Sequence, residues 1–281
     1  VSGSLDALLA EISVSPLREP ALIALAERAV AHMGPGLSEL LVKSTPVHGA
    51  LTKGTALAGQ IHVDVGVVVA PRSPQQRELP VLLERVQAAA AGLPDCDVVA
   101  GDARVDLVHD GVTVCVRPML AMADRHMQTL LGVAEYPVRT SVQRHSEFIQ
   151  ARIESSDLAG GEPFDGCLRL VKHWRDLAGL GDTLPTMVLE LLFSDAYDRV
   201  GTAGSLDDSL ARWFDTAAET VSERRPVAFS DFATPREDPD PFSHWCVLDP
   251  VNIFHNLVMA WTPEQVGALA AALWRWRAVL Y

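Results

Sequence analysis

Residues 53–69 read KGTALAGQIHVDVGVVV. A Gly-rich turn, Lys53-Gly54-Thr55, runs into the β-branched strand Ile61–Ala70. Strand side chains alternate between faces, so His62 and Asp64 project to one side. The strand carries a single carboxylate, Asp64, and an imidazole two residues before it. This pairing decides both the fold and the chemistry to look for.

Working outward, residues 4–12 and 17–33 read as helices. Leu22, Leu25, Ala26 and Ala29 keep helical spacing in the second, and Gly34-Pro35-Gly36 ends it. Arg72 to Pro80 is a polar loop, and Leu82–Ala91 is a helix stopped by Gly92 and Pro94. Strands Val105–His109 and Val112–Val116 join through Asp110-Gly111, a hairpin signal, and Pro118 is expected to end the second. From Ser141 onward the pattern is helical: 141–153, 164–178, 185–200 and 205–222, the last capped by Ser205. Residues 231–242 form a Pro-rich acidic loop. Thr262-Pro263-Glu264-Gln265 is a capping box that opens a last helix to Tyr281, with Trp274 and Trp276 at its core and rim. An α/β lobe over 1–138 and a helical lobe over 139–281 are expected, with a cleft between them.

The 281 residues are 48% apolar and suit one large domain or two closely packed lobes. No apolar run reaches about 18 residues, so no membrane helix is expected. VSGSLDALLAEI has no basic n-region or cleavage site and is not expected to be a signal peptide. Cys96, Cys115, Cys167 and Cys246 show no CxxC spacing, which points to reduced thiols and a cytoplasmic protein. The richness in Ala, Val and Arg suits a bacterial source. A net charge of −13 disfavours sequence-blind nucleic-acid binding. It leaves room for a small anionic ligand in a local basic pocket.

Nucleotidyl transfer uses two divalent metals held by carboxylates. Two Asp at i and i+2 on one strand and a third on the neighbouring strand make the cage. A Gly-Ser turn before the strand offers donors to a triphosphate. Here the turn is His48-Gly49-Ala50, the strand gives His62-Val63-Asp64, and the hairpin strand offers Cys115.

Four ordered stretches between about residues 48 and 256 carry a family resemblance: KGTALAG leading into HVD, VCVRPM, LRLVKHWRD with LPTMVLELL, and VLDPVNIFHN. The chain resembles the oligoadenylate synthase and bacterial cGAS/DncV-like nucleotidyltransferase (CD-NTase) family. The resemblance implies an α+β fold, with a polymerase beta-like nucleotidyltransferase α/β lobe built on a short mixed sheet and an α-helical lobe. It implies that Gly49 is the turn glycine, Asp64 the second metal carboxylate, and Lys172 a lysine that approaches the triphosphate. Lys53 is a further candidate at the phosphate entrance.

Four positions depart from the family pattern. Ala50 stands for the turn Ser, His62 for the first metal Asp, Cys115 for the third, and Met187 for an aromatic near the base. Imidazole and thiol are poor ligands for Mg²⁺, which takes hard oxygen donors, so Mg²⁺ binding is expected to be weak or absent. Two readings of Asp64, His62 and Cys115 stand. They hold a transition metal such as Zn²⁺, or they are the remains of a worn-out site in which His62 pairs with Asp64.

Lys172 shares a helix stripe with Arg169, His173 and Asp176, read as a basic wall for phosphates. Arg139, Arg144, His145 and Arg152 form either a second such wall or ordinary surface ion pairs. Glu190, within MVLELLF, reads as a hydrogen-bonded structural carboxylate, and Asp249 and Asn256 as turn-formers.

The reading that follows is a divergent family member whose Mg²⁺-dependent transfer is lost or strongly impaired. It binds an NTP or another small phosphate ligand in a regulatory or sensing role, which also suits a protein partner. The acidic balance argues against double-stranded RNA. One alternative is an active nucleotidyltransferase making an oligo- or cyclic nucleotide or modifying a small acceptor, with Asp106 as replacement carboxylate. A second is a non-binding scaffold.

Overall fold

The structure, a computed structural model, describes residues 5–59, 61–70, 78–124, 126–131, 137–160, 163–234 and 243–281. Residues 72–77 of the polar loop and 235–242 of the acidic loop lie outside the described residues. The chain divides into two compact units, Val14–Ser146, and Val1–Ser13 together with Glu147–Tyr281.

After α1 (Leu5–Ile12) the sheet unit begins with α2 (Glu19–Met33) and a 3₁₀ turn, Gly34–Leu37. There follow β1 (Leu41–Ser44), β2 (Val47–His48), β3 (Ile61–Ala70), α3 (Leu79–Ala90), β4 (Asp97–Ala100), β5 (Val105–His109), β6 (Val112–Ala121), β7 (Gln128–Leu131) and β8 (Pro137–Thr140). The sheet order is β1-β3-β6-β5-β4, with β2 also on β3, β7 on β6 and β8 on β7. β3 and β6 are parallel and the other pairs antiparallel, so the sheet is mixed. Parallel neighbours need a crossover, and α3 with β4 and β5 supplies it.

Ile61, Val63, Val65, Val67 and Val69 are buried with Val105, Leu107, Val112, Val114 and Val116. Leu22, Ala26 and Ala29 of α2 and Leu82, Leu83 and Val86 of α3 complete that cluster. One face of the sheet is thus a closed apolar layer, and its alternation fixes the register. A one-residue slip would bury His62 and Asp64.

Asp110 (φ 45°) and Gly111 (φ 75°) both have positive φ, as a type I′ hairpin requires. β6 does not stop at Pro118 but runs on to Ala121. The proline is tolerated because β5 pairing ends at Val116 and β7 pairing starts at Met119. Pro118 therefore occupies a gap on that side, where no ladder bond is missed. α3 starts at Leu79, with Pro80 in its first turn, where a missing N–H costs nothing.

The helical unit holds α1, the greater part of α4 (Val142–Ala159), α5 (Phe164–Leu177), α6 (Thr186–Val200), α7 (Leu206–Ser222), α8 (Pro263–Trp274) and α9 (Arg277–Leu280), with α1 packed on α5 and α7. Ser205 accepts from the Asp208 N–H, and Thr262 and Gln265 form the expected capping box. The last helix is broken after Trp274 rather than continuous. Trp276 is buried and stacks on Phe214 at 4.7 Å, while Trp274 is half exposed. Asp249 accepts from the N–H groups of Val251 and Asn252, and Asn256 bridges Trp245, Val247 and Val258. Both therefore shape the late loop. Among the described residues no helix is long and apolar enough to cross a membrane.

Candidate functional site

The sheet register lines four chemically active side chains in one row. His48 on β2 lies opposite Asp64 on β3, Asp64 opposite Cys115 on β6, and Cys115 opposite Asp106 on β5. Directly opposed residues share a face, so all four lie on the side away from the apolar cluster. His62 and Arg117 join them by alternation along β3 and β6.

Asp64 sits against the turn. Gly49 has φ +81°, and a Cβ there would collide with the Asp64 carboxylate. The turn closes on itself: Lys53 N–H donates to Gly49 O, Gly54 N–H to Leu51 O and Thr55 N–H to Ala50 O, at 2.9–3.3 Å. Among the described residues, no side chain or backbone group forms a hydrogen bond or ion pair with Asp64. Its electrostatic neighbours are His48, Cys115, Arg104 and Arg117.

Cys115 is 2% exposed, and its sulfur lies 3.6 Å from His62 Nδ1. Burial pushes its thiol pKa far up. The charges of Asp64 and Asp106 and a hydrogen bond to Asp106 add to this, and Arg104 opposes it. The sulfur is a neutral thiol near neutral pH, so it is neither an activated nucleophile nor an anionic ligand. Asp106 is clamped by Arg104, with Nε 2.8 Å from Oδ1 and a second guanidinium nitrogen 3.1 Å from Oδ2. For Arg117, burial lowers the pKa and Asp64 counters it.

His48 pairs with Asp64 in the row, and its Nε2 is buried with no hydrogen-bond partner among the described residues. Burial lowers its pKa from 6.5 to about 4, against the opposing pull of Asp64. The ring is neutral at pH 7.

This donor set does not fit a two-Mg²⁺ cage. One carboxylate is uncommitted, a second is held by a guanidinium, and the remaining positions offer imidazole and thiol. Among the described residues, no group of three or more His, Cys, Asp or Glu side chains is placed to hold a metal ion.

Lys172 lies in the helical unit. It is buried, with Nζ 2.7 Å from Glu190 Oε1, and Glu190 is equally buried. The Glu190 partner is thus a lysine. Arg152 is also buried, 2.6 Å from Asp198 and 3.1 Å from Asp231, with its guanidinium over the Phe148 ring.

The sequence placed His48 in the turn but not opposite Asp64, and it singled out neither Arg104 nor Arg117. Arg117 carried a usable signal, since it lies two residues beyond Cys115 and must share its face. Arg104 stands in the same relation to Asp106. His48 had none, because β2 is only two residues long.

No protein-family model matches the sequence, and no curated protein matches it. Solved structures do match in fold. CdnC of E. coli MS115-1 with ATP superposes with a TM-score of 0.79 at 22% identity, over 99% of this chain and 91% of that one. The same CdnC in its HORMA-deltaN complex gives 0.77 at 23%, over 99% and 90%. The Bradyrhizobium diazoefficiens CD-NTase CdnG in complex with GTP gives 0.72 at 15%, over 99% and 91%. The chain has the nucleotidyltransferase fold of these proteins over nearly its whole length.

Proposed function

We propose, from the premise that the chain has the CD-NTase fold, that it is a divergent relative whose Mg²⁺-dependent nucleotidyl transfer is lost or strongly impaired. It binds a nucleoside triphosphate or a similar small phosphate ligand in a regulatory or sensing role. The observation that carries this is the row His48–Asp64–Cys115–Asp106, in which Asp64 is the one uncommitted carboxylate. If each missing ligand removes a few kcal/mol of transition-state stabilisation, transfer falls by several powers of ten. CdnC with ATP and CdnG with GTP support nucleotide as the ligand class. The CdnC:HORMA-deltaN complex supports a protein partner.

The test is to titrate the full chain with each NTP and to assay pyrophosphate release with Mg²⁺ or Mn²⁺. Binding without release is expected; release that Asp64→Asn abolishes overturns the reading.

A second reading keeps the enzyme active, with Asp106 as the missing carboxylate. It draws on one observation, that Asp106 occupies the same row as Asp64. Two strand spacings, roughly 10 Å, separate their backbones, and Arg104 holds Asp106. In this reading Asp106→Asn abolishes turnover.

A further inference from the structure

The polar sheet face carries its own counter-charges. Arg104 pairs with Asp106 at 2.8 Å, and Arg117 sits within electrostatic range of Asp64. Two guanidiniums therefore balance two carboxylates with no ion added. Lys53 contributes a further positive charge near His48. With aspartate at positions 62 and 115, as in the pattern this chain resembles, four carboxylates would oppose the same two guanidiniums. That surplus is what two divalent cations neutralise in such a site. The replacements present here, an imidazole and a neutral buried thiol, remove the surplus.

We propose that this face binds the polyphosphate of a nucleoside triphosphate without a divalent cation. The inference rests on the nucleotide binding proposed above and adds its charge logic. A carboxylate-rich site repels a bare triphosphate and admits it only with metal. A balanced site has no such barrier. Guanidiniums suit phosphate oxygens because they are planar, multiply donating and permanently charged. Arg117 is the better placed of the two, since Arg104 is engaged with Asp106.

The test is isothermal titration of the full chain with ATP, GTP, CTP and UTP, each in EDTA and in MgCl₂. The expected result is a Kd in EDTA within about threefold of that in Mg²⁺ for the nucleotide that binds best. Weakening in EDTA beyond about threefold overturns the inference and leaves the nucleotide reading standing. No binding in either buffer defeats both.

Two variants sharpen the result. The double variant His62→Asp/Cys115→Asp is expected to lose about tenfold in EDTA and to recover with Mg²⁺; unchanged binding in EDTA counts against the charge argument. Arg117→Gln is expected to weaken EDTA binding about tenfold, with Arg117→Lys recovering most of it. Equal binding by wild type and Arg117→Gln removes Arg117 from the account.

Discussion

The two faces of the central sheet make opposite use of the same strands. On β3, Ile61, Val63, Val65, Val67 and Val69 enter the core under α2 and α3, each at most 3% exposed. On the other face His62 is exposed and Asp64 half-buried, beside Cys115, Asp106 and Arg117. The apolar face supplies a continuous buried layer under α2 and α3, and the other face buries Val68, Cys115 and Met119 beside its polar groups. Side chains on the polar face can therefore change without touching the apolar alternation that sets the β3 and β6 register. The same sheet thus combines the nucleotidyltransferase fold with a polar face of two carboxylates, two imidazoles and a thiol.

Four experiments would break or sharpen that contrast. The largest effect is expected from Val63→Asp, which places a carboxylate in the apolar layer. It should cost about 5 kcal/mol and abolish cooperative urea unfolding. Next comes Lys172→Met in the helical unit, which leaves buried Glu190 without its ammonium. A loss of about 3–5 kcal/mol is expected by chemical denaturation, with much of it recovered in Lys172→Met/Glu190→Leu. Recovery would identify the pair as a mutual charge balance; no loss would show that the lysine is not needed for packing.

The third effect is a pH dependence. His48 is held neutral by burial, with its pKa lowered to about 4 in the folded chain from 6.5 unfolded. Between these values the unfolded chain binds a proton that the folded chain refuses. Stability is therefore full above pH 6.5 and falls as pH drops toward 4, by at most about 3 kcal/mol. The facing groups are Asp64, which favours protonation, and Arg117, Lys53 and His145, which oppose it. Melting curves across this window should be flatter for His48→Gln than for wild type. The smallest effect is expected from Asp64→Asn, within about 0.5 kcal/mol of wild type by urea midpoint. A larger loss would mean that the polar face also carries the fold.

Much of this was legible in the sequence, for a physical reason. The β3 alternation, the Asp110-Gly111 turn, the Ser205 cap and the Thr262 capping box are local signals, and each produced the expected element. The errors came where tertiary pairing overrides local propensity. Pro118 is a strand-breaker only if a neighbour needs its N–H, and the gap between β5 and β7 removes that need. Pro80 looked like loop but serves a helix first turn. The break after Trp274 follows no glycine or proline, and Trp276 is buried on Phe214 beyond it.

At the site, the type of each residue was readable but its engagement was not. Asp106 was readable as a candidate replacement carboxylate, but its place opposite Cys115 and its ion pair with Arg104 come from the sheet register. His48 became relevant only through a two-residue strand that no periodicity could reveal.

The most direct test of the central claim is pyrophosphate release by the wild-type chain, given all four NTPs with Mn²⁺. The account predicts no release above the Asp64→Asn control, although nucleotide binds. Sustained release by wild type that Asp64→Asn abolishes would contradict it.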